Sequence, residues 1–172
     1  MTPLISVIIC NHNYDEYVGA AINSALNQTY ENIQVVIVDD GSSDNSVEVI
    51  NRAIEGHDNT IFIQQVPCVG ASEARNIAIN TVWDESAYFM ILDSDDTALP
   101  EKAQIFYDTM VKYPSVGAVY GDYIIDDQIN GLLHHEFKEP YDRNVLSQRC
   151  IVHSGSLLSK KALTSILEDG RV

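Results

Sequence analysis

Short apolar runs alternate with segments of helical spacing along most of this chain, and that alternation restricts the fold more than any other feature. Leu4–Cys10 (LISVIIC) and Ile33–Val38 (IQVVIV) are β-branched and carry almost no polar positions, the pattern of parallel strands buried on both faces. Between them, Asp15–Asn27 places Tyr17, Val18, Ala21, Ile22, Ala25 and Leu26 on one stripe of a helix. After the second run, Ser43 or Asp44 can cap a helix reaching about Ile54. A third strand is expected at Ile61–Val66, and a helix entered from a glycine turn at Gly70–Val82. A fourth strand follows at Ala87–Leu92, then a helix with Pro100 at its first position that ends near Tyr113-Pro114. Val116–Tyr123 reads as a fifth strand. Strands and helices in strict alternation predict an α/β fold, a three-layer α/β/α sandwich around a mostly parallel sheet.

Beyond Tyr123 the pattern changes. Ile124-Ile125, Asn130-Gly131 and Leu132–Phe137 predict a hairpin, residues 138–149 a loop or short helix, Cys150–Leu158 an extended segment, and Lys160–Leu167 a helix. A length of 172 residues favours one domain over residues 1–172, or one and an unfinished second. The net charge of −15 repels phosphate backbones and anionic lipid, which argues against nucleic acid as a partner. The three cysteines (Cys10, Cys68, Cys150) are odd in number and form no CxxC pair, so a reducing, cytoplasmic setting is expected, with Cys10 as a small core residue. The first residues lack a basic region, and their apolar run is too short for a signal peptide or a membrane span; no membrane association is expected from this chain.

In an open parallel sheet, ligands bind outside the carboxyl ends of the strands. Three of the expected strand ends carry polar clusters: Asn11-His12-Asn13, Asp39-Asp40, and Asp93-Ser94-Asp95-Asp96. Carboxylates gathered at one edge repel one another unless a cation is bound, and oxygen donors suit Mg2+ or Mn2+. Each cluster alone has a plainer explanation: a solvated loop before a helix at Asp93–Asp96, a strand-to-helix turn at Asp39–Ser42. Two such clusters on one sheet edge favour a site. A dinucleotide-binding oxidoreductase would need GxGxxG after the first strand, where this chain has Cys10-Asn11-His12-Asn13-Tyr14. A metal-dependent phosphotransferase would explain the carboxylates, but not the VDDGS and SEARN stretches.

Four stretches in order, ISVIICNHNY, ALNQTYENIQVVIVDDGSSDNS, GASEARNIAI and YFMILDSDDTALPEKAQ, resemble the family 2 glycosyltransferases, an inverting family with the GT-A fold. The resemblance covers residues 4 to about 123, and VHSGSLLSKKAL is similar to the family's acceptor-side segment. It implies transfer of a sugar from a nucleoside diphosphate donor, UDP-sugar above all, to a hydroxyl of a glycan or lipid-linked acceptor, with Mn2+ or Mg2+ assisting. It implies that residues 1–123 hold the donor and that 124–172 begin the acceptor side. By the same resemblance, Cys10, Asn11 and Asn13 lie under the nucleotide, and Asp40 accepts a hydrogen bond from the base while Asp39 supports its loop. Arg75 faces the nucleotide or diphosphate; its alternative is a surface pair with Glu73 or Asp84. Asp95 coordinates the metal, Asp93 holds the ribose or shares the metal shell, Asp96 supports the loop or touches the sugar, and His153 belongs to the sugar side. In the family the catalytic base is a carboxylate well downstream of the GSLL segment, which leaves Glu168-Asp169 as the terminal acidic pair and Asp169 as a candidate that arrives early. The base is therefore expected outside this chain. The competing expectation is a non-catalytic nucleotide-sugar-binding domain or a truncated fragment. Tyr14, Tyr17, Trp83 and Tyr88 are expected as core or rim aromatics, and His134-His135 on the solvent side of the hairpin.

Overall fold

The computed structural model describes residues 2–127, 129–148, 152 and 154–167. Its main sheet is built on β1 (Ile5–Asn11), β2 (Ile33–Asp39), β3 (Thr60–Gln64) and β4 (Tyr88–Asp93), linked by α1 (Val18–Leu26), α2 (Ser46–Ile54) and α3 (Ala71–Thr81). Helix α4 (Lys102–Lys112) leads to β5 (Ala118–Val119) and the separate hairpin β6 (Tyr123–Asp127) and β7 (Leu132–Glu136). The short α5 (Arg143–Leu146), then β8 (Leu157–Ser159) and α6 (Lys160–Thr164), complete the described elements. The sheet order is β3-β2-β1-β4-β8-β5. Pairs among β1 to β4 are parallel, whereas β8 runs antiparallel to both β4 and β5.

The apolar runs are continuous because both faces of the sheet are covered. Ile5, Val7 and Ile9 of β1, with Val35 and Ile37 of β2 and Met90 of β4, enter the core shared with α1 and α4. The alternate positions Ile8, Val36, Val38 and Phe89 enter a second core against Ala74, Ala78 and Ile79 of α3, where Trp83 stacks on Phe89. The period of two along each strand thus feeds two layers of helix, and the expected three-layer sandwich is what the chain forms. Among the described residues, no helix is long and apolar enough to cross a membrane.

Several element boundaries differ from the sequence reading. Helix α1 starts at Val18 and not Asp15, because the Tyr17 and Val18 amides donate to the Tyr14 carbonyl in a turn and the Asp15 amide donates to Asp44. For α2, Asp44 rather than Ser43 receives the Ser46 amide. Pro100 lies two residues before α4, where its carbonyl accepts from the Thr29 amide. The expected strand Val116–Tyr123 shrinks to Ala118–Val119. Gly121 packs so closely on the Phe106 ring that an added Cβ would lie 3.3 Å from it, and Asp122 accepts the Lys138 amide, so the chain leaves the sheet there for the hairpin. The place beside β4 is filled by β8 instead, narrower than the expected Cys150–Leu158, with Leu157 fully buried. Cys150 lies outside the described residues.

Candidate functional site

The parallel register sets the ends of β1, β2 and β4 level: Cys10 faces Val38 and Asp93, and Asn11 faces Asp39. A cleft of about 300 Å³ opens there, lined by Cys10, Asn11, His12, Tyr14, Asp40, Ala71, Ala74, Arg75, Asp93, Ser94 and Asp95. The three polar clusters of the sequence therefore do meet at one edge.

Adjacent aspartates at the end of β2 turn to different tasks. Asp39 is fully buried and accepts from the Ser42 amide (3.0 Å), the Ser42 hydroxyl (2.6 Å) and Asn11 Nδ2 (3.0 Å). Asn11 is itself 1% exposed, and its Oδ1 has no hydrogen-bond partner among the described residues. Asn13, at φ 58°, accepts the Ser43 amide at 2.7 Å, and its own amide donates to Ser42 Oγ at 2.9 Å. The loop after β1 is thereby fastened to the loop after β2. His12 Nδ1 donates to the Asp40 carbonyl at 2.7 Å, with Nε2 free to accept from Asn13 Nδ2 at 3.1 Å.

Asp40 faces the segment before α3. Its Oδ1 accepts from the Val69 amide (2.8 Å), and its Oδ2 from the Gly70 amide (2.8 Å) and the Cys68 thiol (3.1 Å). Burial works to raise this carboxyl, but the Val69, Cys68 and Gly70 hydrogen bonds prevail and hold it below the usual carboxylate range. Gly41 beside it has φ 74°, and a Cβ there would lie 3.2 Å from the Cys68 nitrogen. Gly41→Ala is therefore expected to cost about 1–2 kcal/mol, the penalty of a left-handed L-residue. Urea denaturation measures it, and an unchanged midpoint would show that the 65–70 segment gives way freely.

The third wall comes from α3 and the end of β4. Ala71, Ala74 and Arg75 share a helical face, the two alanines leaving room over which Arg75 reaches across. Arg75 Nη2 lies 2.8 Å from Asp93 Oδ1, which corrects the surface alternative of Glu73 or Asp84 as its partner. Asp93, Asp95 and Asp96 each offer a carboxylate oxygen, all within 4.8 Å of one another. Asp96 Oδ2 also accepts from Ser154 Oγ at 2.7 Å, which ties the β4 end to the segment entering β8. Cys10 is half-buried, its thiol pushed up to about 12 mainly by burial, so it is a neutral wall group and not a nucleophile.

His153, Glu168 and Asp169 lie outside the described residues. His12 lines the cleft with its cluster neighbour Asn11, and Tyr14, 43% exposed, stands at the rim of the same cleft, one of the two settings expected for it. The sequence reading missed Ala71 and Ala74 as lining residues, since nothing in sequence marked them.

The glycosyl transferase family 2 model matches residues 6–166, and the chain belongs to that family. It is 32% identical over 131 residues to the glycosyltransferase GlyG of Streptococcus pneumoniae, covering 76% of this chain and 42% of that protein. It is 30% identical over 161 residues to an Escherichia coli chondroitin synthase, covering 93% of this chain and 23% of the synthase. Among solved structures it is similar to S. aureus TarS 1-349 in complex with UDP-GlcNAc, with TM-score 0.61 and 24% identity over 67% of this chain and 33% of that one. It is also similar to the mannosyltransferase PcManGT from Pyrobaculum calidifontis in complex with GDP-Man and Mn2+, with TM-score 0.67 and 20% identity over 96% of this chain and 47% of that one. The fold is that of the GT-A glycosyltransferases. The chain spans less than half the length of each of these four proteins.

Proposed function

We propose that this chain carries the donor site of a metal-assisted, inverting glycosyltransferase that uses a nucleoside diphosphate sugar, with UDP-sugar as the first choice. The observation that carries the reading is the carboxylate group Asp93, Asp95 and Asp96, gathered within 4.8 Å at the end of β4, with Asp93 paired to Arg75 in the cleft. Oxygen donors at this spacing fit a hard divalent cation, Mn2+ or Mg2+. Asp95 and Asp93 would hold it, and the ion would neutralise charge on the departing diphosphate. The complexes of TarS with UDP-GlcNAc and of PcManGT with GDP-Man and Mn2+ support the donor class and the metal.

In this reading Cys10, Asn11 and Asn13 form the floor beneath the nucleotide, and Asp39 keeps that floor rigid through Ser42 and Asn11. Asp40 fixes the 68–70 segment as a wall beside the base, with its remaining lone pair available to a base N–H. Arg75 offers a planar fork to phosphate oxygens. Asp96 belongs to the sugar side, to which the family resemblance alone assigns His153, and residues from 124 onward begin the acceptor side. A carboxylate base takes the proton of the acceptor hydroxyl as that oxygen attacks the anomeric carbon in line, and the donor diphosphate leaves from the opposite face. The acceptor is a glycan or a lipid-linked sugar, in keeping with relatives such as chondroitin synthase.

A thermal-shift panel of UDP-, GDP- and other nucleotide-sugars, with and without Mn2+, tests this reading, because a ligand of the folded state raises its stability by mass action. Stabilisation by a nucleotide-sugar that depends on Mn2+ is the expected result; a flat panel would refute it. Asp40→Ala should weaken the best ligand by about 1.5–3 kcal/mol in calorimetry, the worth of a hydrogen bond to a charged group. Unchanged affinity would remove Asp40 from base recognition.

A further inference from the structure

Among the residues lining the cleft, Arg75 is the one with a permanent positive charge, and it is bound to a carboxylate that the reading above assigns to the metal. The pair joins two elements, α3 and the end of β4, so the fold sets its geometry. Both side chains are a little over one-third exposed, 37% for Arg75 and 39% for Asp93, so the bond is open to exchange and its strength is modest. Two further carboxylates, Asp95 and Asp96, each bring an oxygen within 4.8 Å of an Asp93 oxygen.

A guanidinium and a divalent ion on one carboxylate repel each other, so each weakens the other's hold on it. A diphosphate, however, offers the guanidinium a bidentate partner that matches its fork. We propose that Arg75 is an exchangeable counter-ion. It rivals the metal for Asp93, and the donor diphosphate ends that rivalry by drawing the guanidinium to itself. The inference rests on the metal-and-nucleotide reading and adds a coupling to it: metal and diphosphate each bind more tightly in the presence of the other, by the same factor.

The test uses Mn2+ alone, followed by the electron paramagnetic resonance signal of the free ion, and UDP alone in EDTA, followed by calorimetry. Arg75→Gln should bind Mn2+ alone at least twofold more tightly than the wild type, while UDP in EDTA weakens. Asp93→Asn should do the reverse, binding UDP in EDTA at least twofold more tightly while Mn2+ weakens. Twofold is the lower range for an ion pair at this exposure. A purely structural ion pair would weaken both ligands in both variants, and that result overturns the proposal. Should Arg75→Gln fail to fold, Asp93→Asn decides alone: tightened UDP supports the exchange, and unchanged or weakened UDP overturns it. Wild-type protein that binds Mn2+ and UDP, with no tightening in either variant, overturns the exchange and leaves the donor-site reading standing. Wild-type protein that binds neither overturns both.

Discussion

Asp95→Asn should lower the affinity for UDP in Mn2+ by at least tenfold and leave it unchanged in EDTA. Asp95 is exposed and lines the cleft beside Asp93, while the apolar core lies elsewhere. Asparagine keeps its size and removes one negative charge from the place proposed for a doubly charged ion. At an effective dielectric constant of about 20, unit charges 4 Å apart interact by about 4 kcal/mol, so a tenfold loss, about 1.4 kcal/mol, is a conservative expectation. Calorimetry in the two buffers separates the cases. An equal loss in EDTA would mean that Asp95 touches the nucleotide directly, and undiminished affinity in Mn2+ would remove it from the metal site. The melting temperature without ligand should not move.

The largest effect on stability is expected at Asp39. Asp39→Ala should cost about 2–4 kcal/mol, read from urea denaturation as a lower midpoint. The carboxylate is fully buried and receives three hydrogen bonds, two of them from Ser42 and one from Asn11. Truncation strands the Ser42 amide and takes one of the two acceptors of Asn11 Nδ2, whose other bond goes to Ser42 Oγ at 3.2 Å, and a buried donor left without a partner costs about 1–3 kcal/mol. A loss below about 1 kcal/mol would mean that water reaches these donors and that the loops after β1 and β2 are held by other contacts.

The sandwich itself was legible because burial on two faces leaves a clear trace: LISVIIC and IQVVIV carry one polar residue each, Ser6 and Gln34, which bond to one another, while the other positions feed two cores. The strand-end clusters were legible for a related reason. Asp39, Asp40, Asp93 and Asp95 stop apolar runs abruptly, and parallel strands put such stops on one edge. Contacts made across long sequence separations left no such trace. Asp39 and Asp40 are the same residue type side by side, yet one is turned to Ser42 and Asn11 and the other to Val69 and Gly70, some 30 positions away. The partner of Arg75 is likewise 18 positions away on another element, whereas local spacing offered only Glu73 and Asp84. Strand β8 could not be bounded from sequence, since three residues carry too little periodicity to mark a strand.

That short strand bears on how the protein is made. During synthesis, β1 to β4 and their helices leave the ribosome as a nearly complete parallel layer, but the outer edge of β4 stays unpaired until residue 157 has emerged. Until then Tyr88–Met90 present open backbone groups beside an unfilled slot for Leu157, the kind of edge that recruits other nascent chains. Strand β5 has no partner in the sheet before β8 arrives, because it joins through β8 and not through β4. A chain cut anywhere between the cleft and residue 157 would keep its carboxylates and still be left with an exposed, adhesive edge.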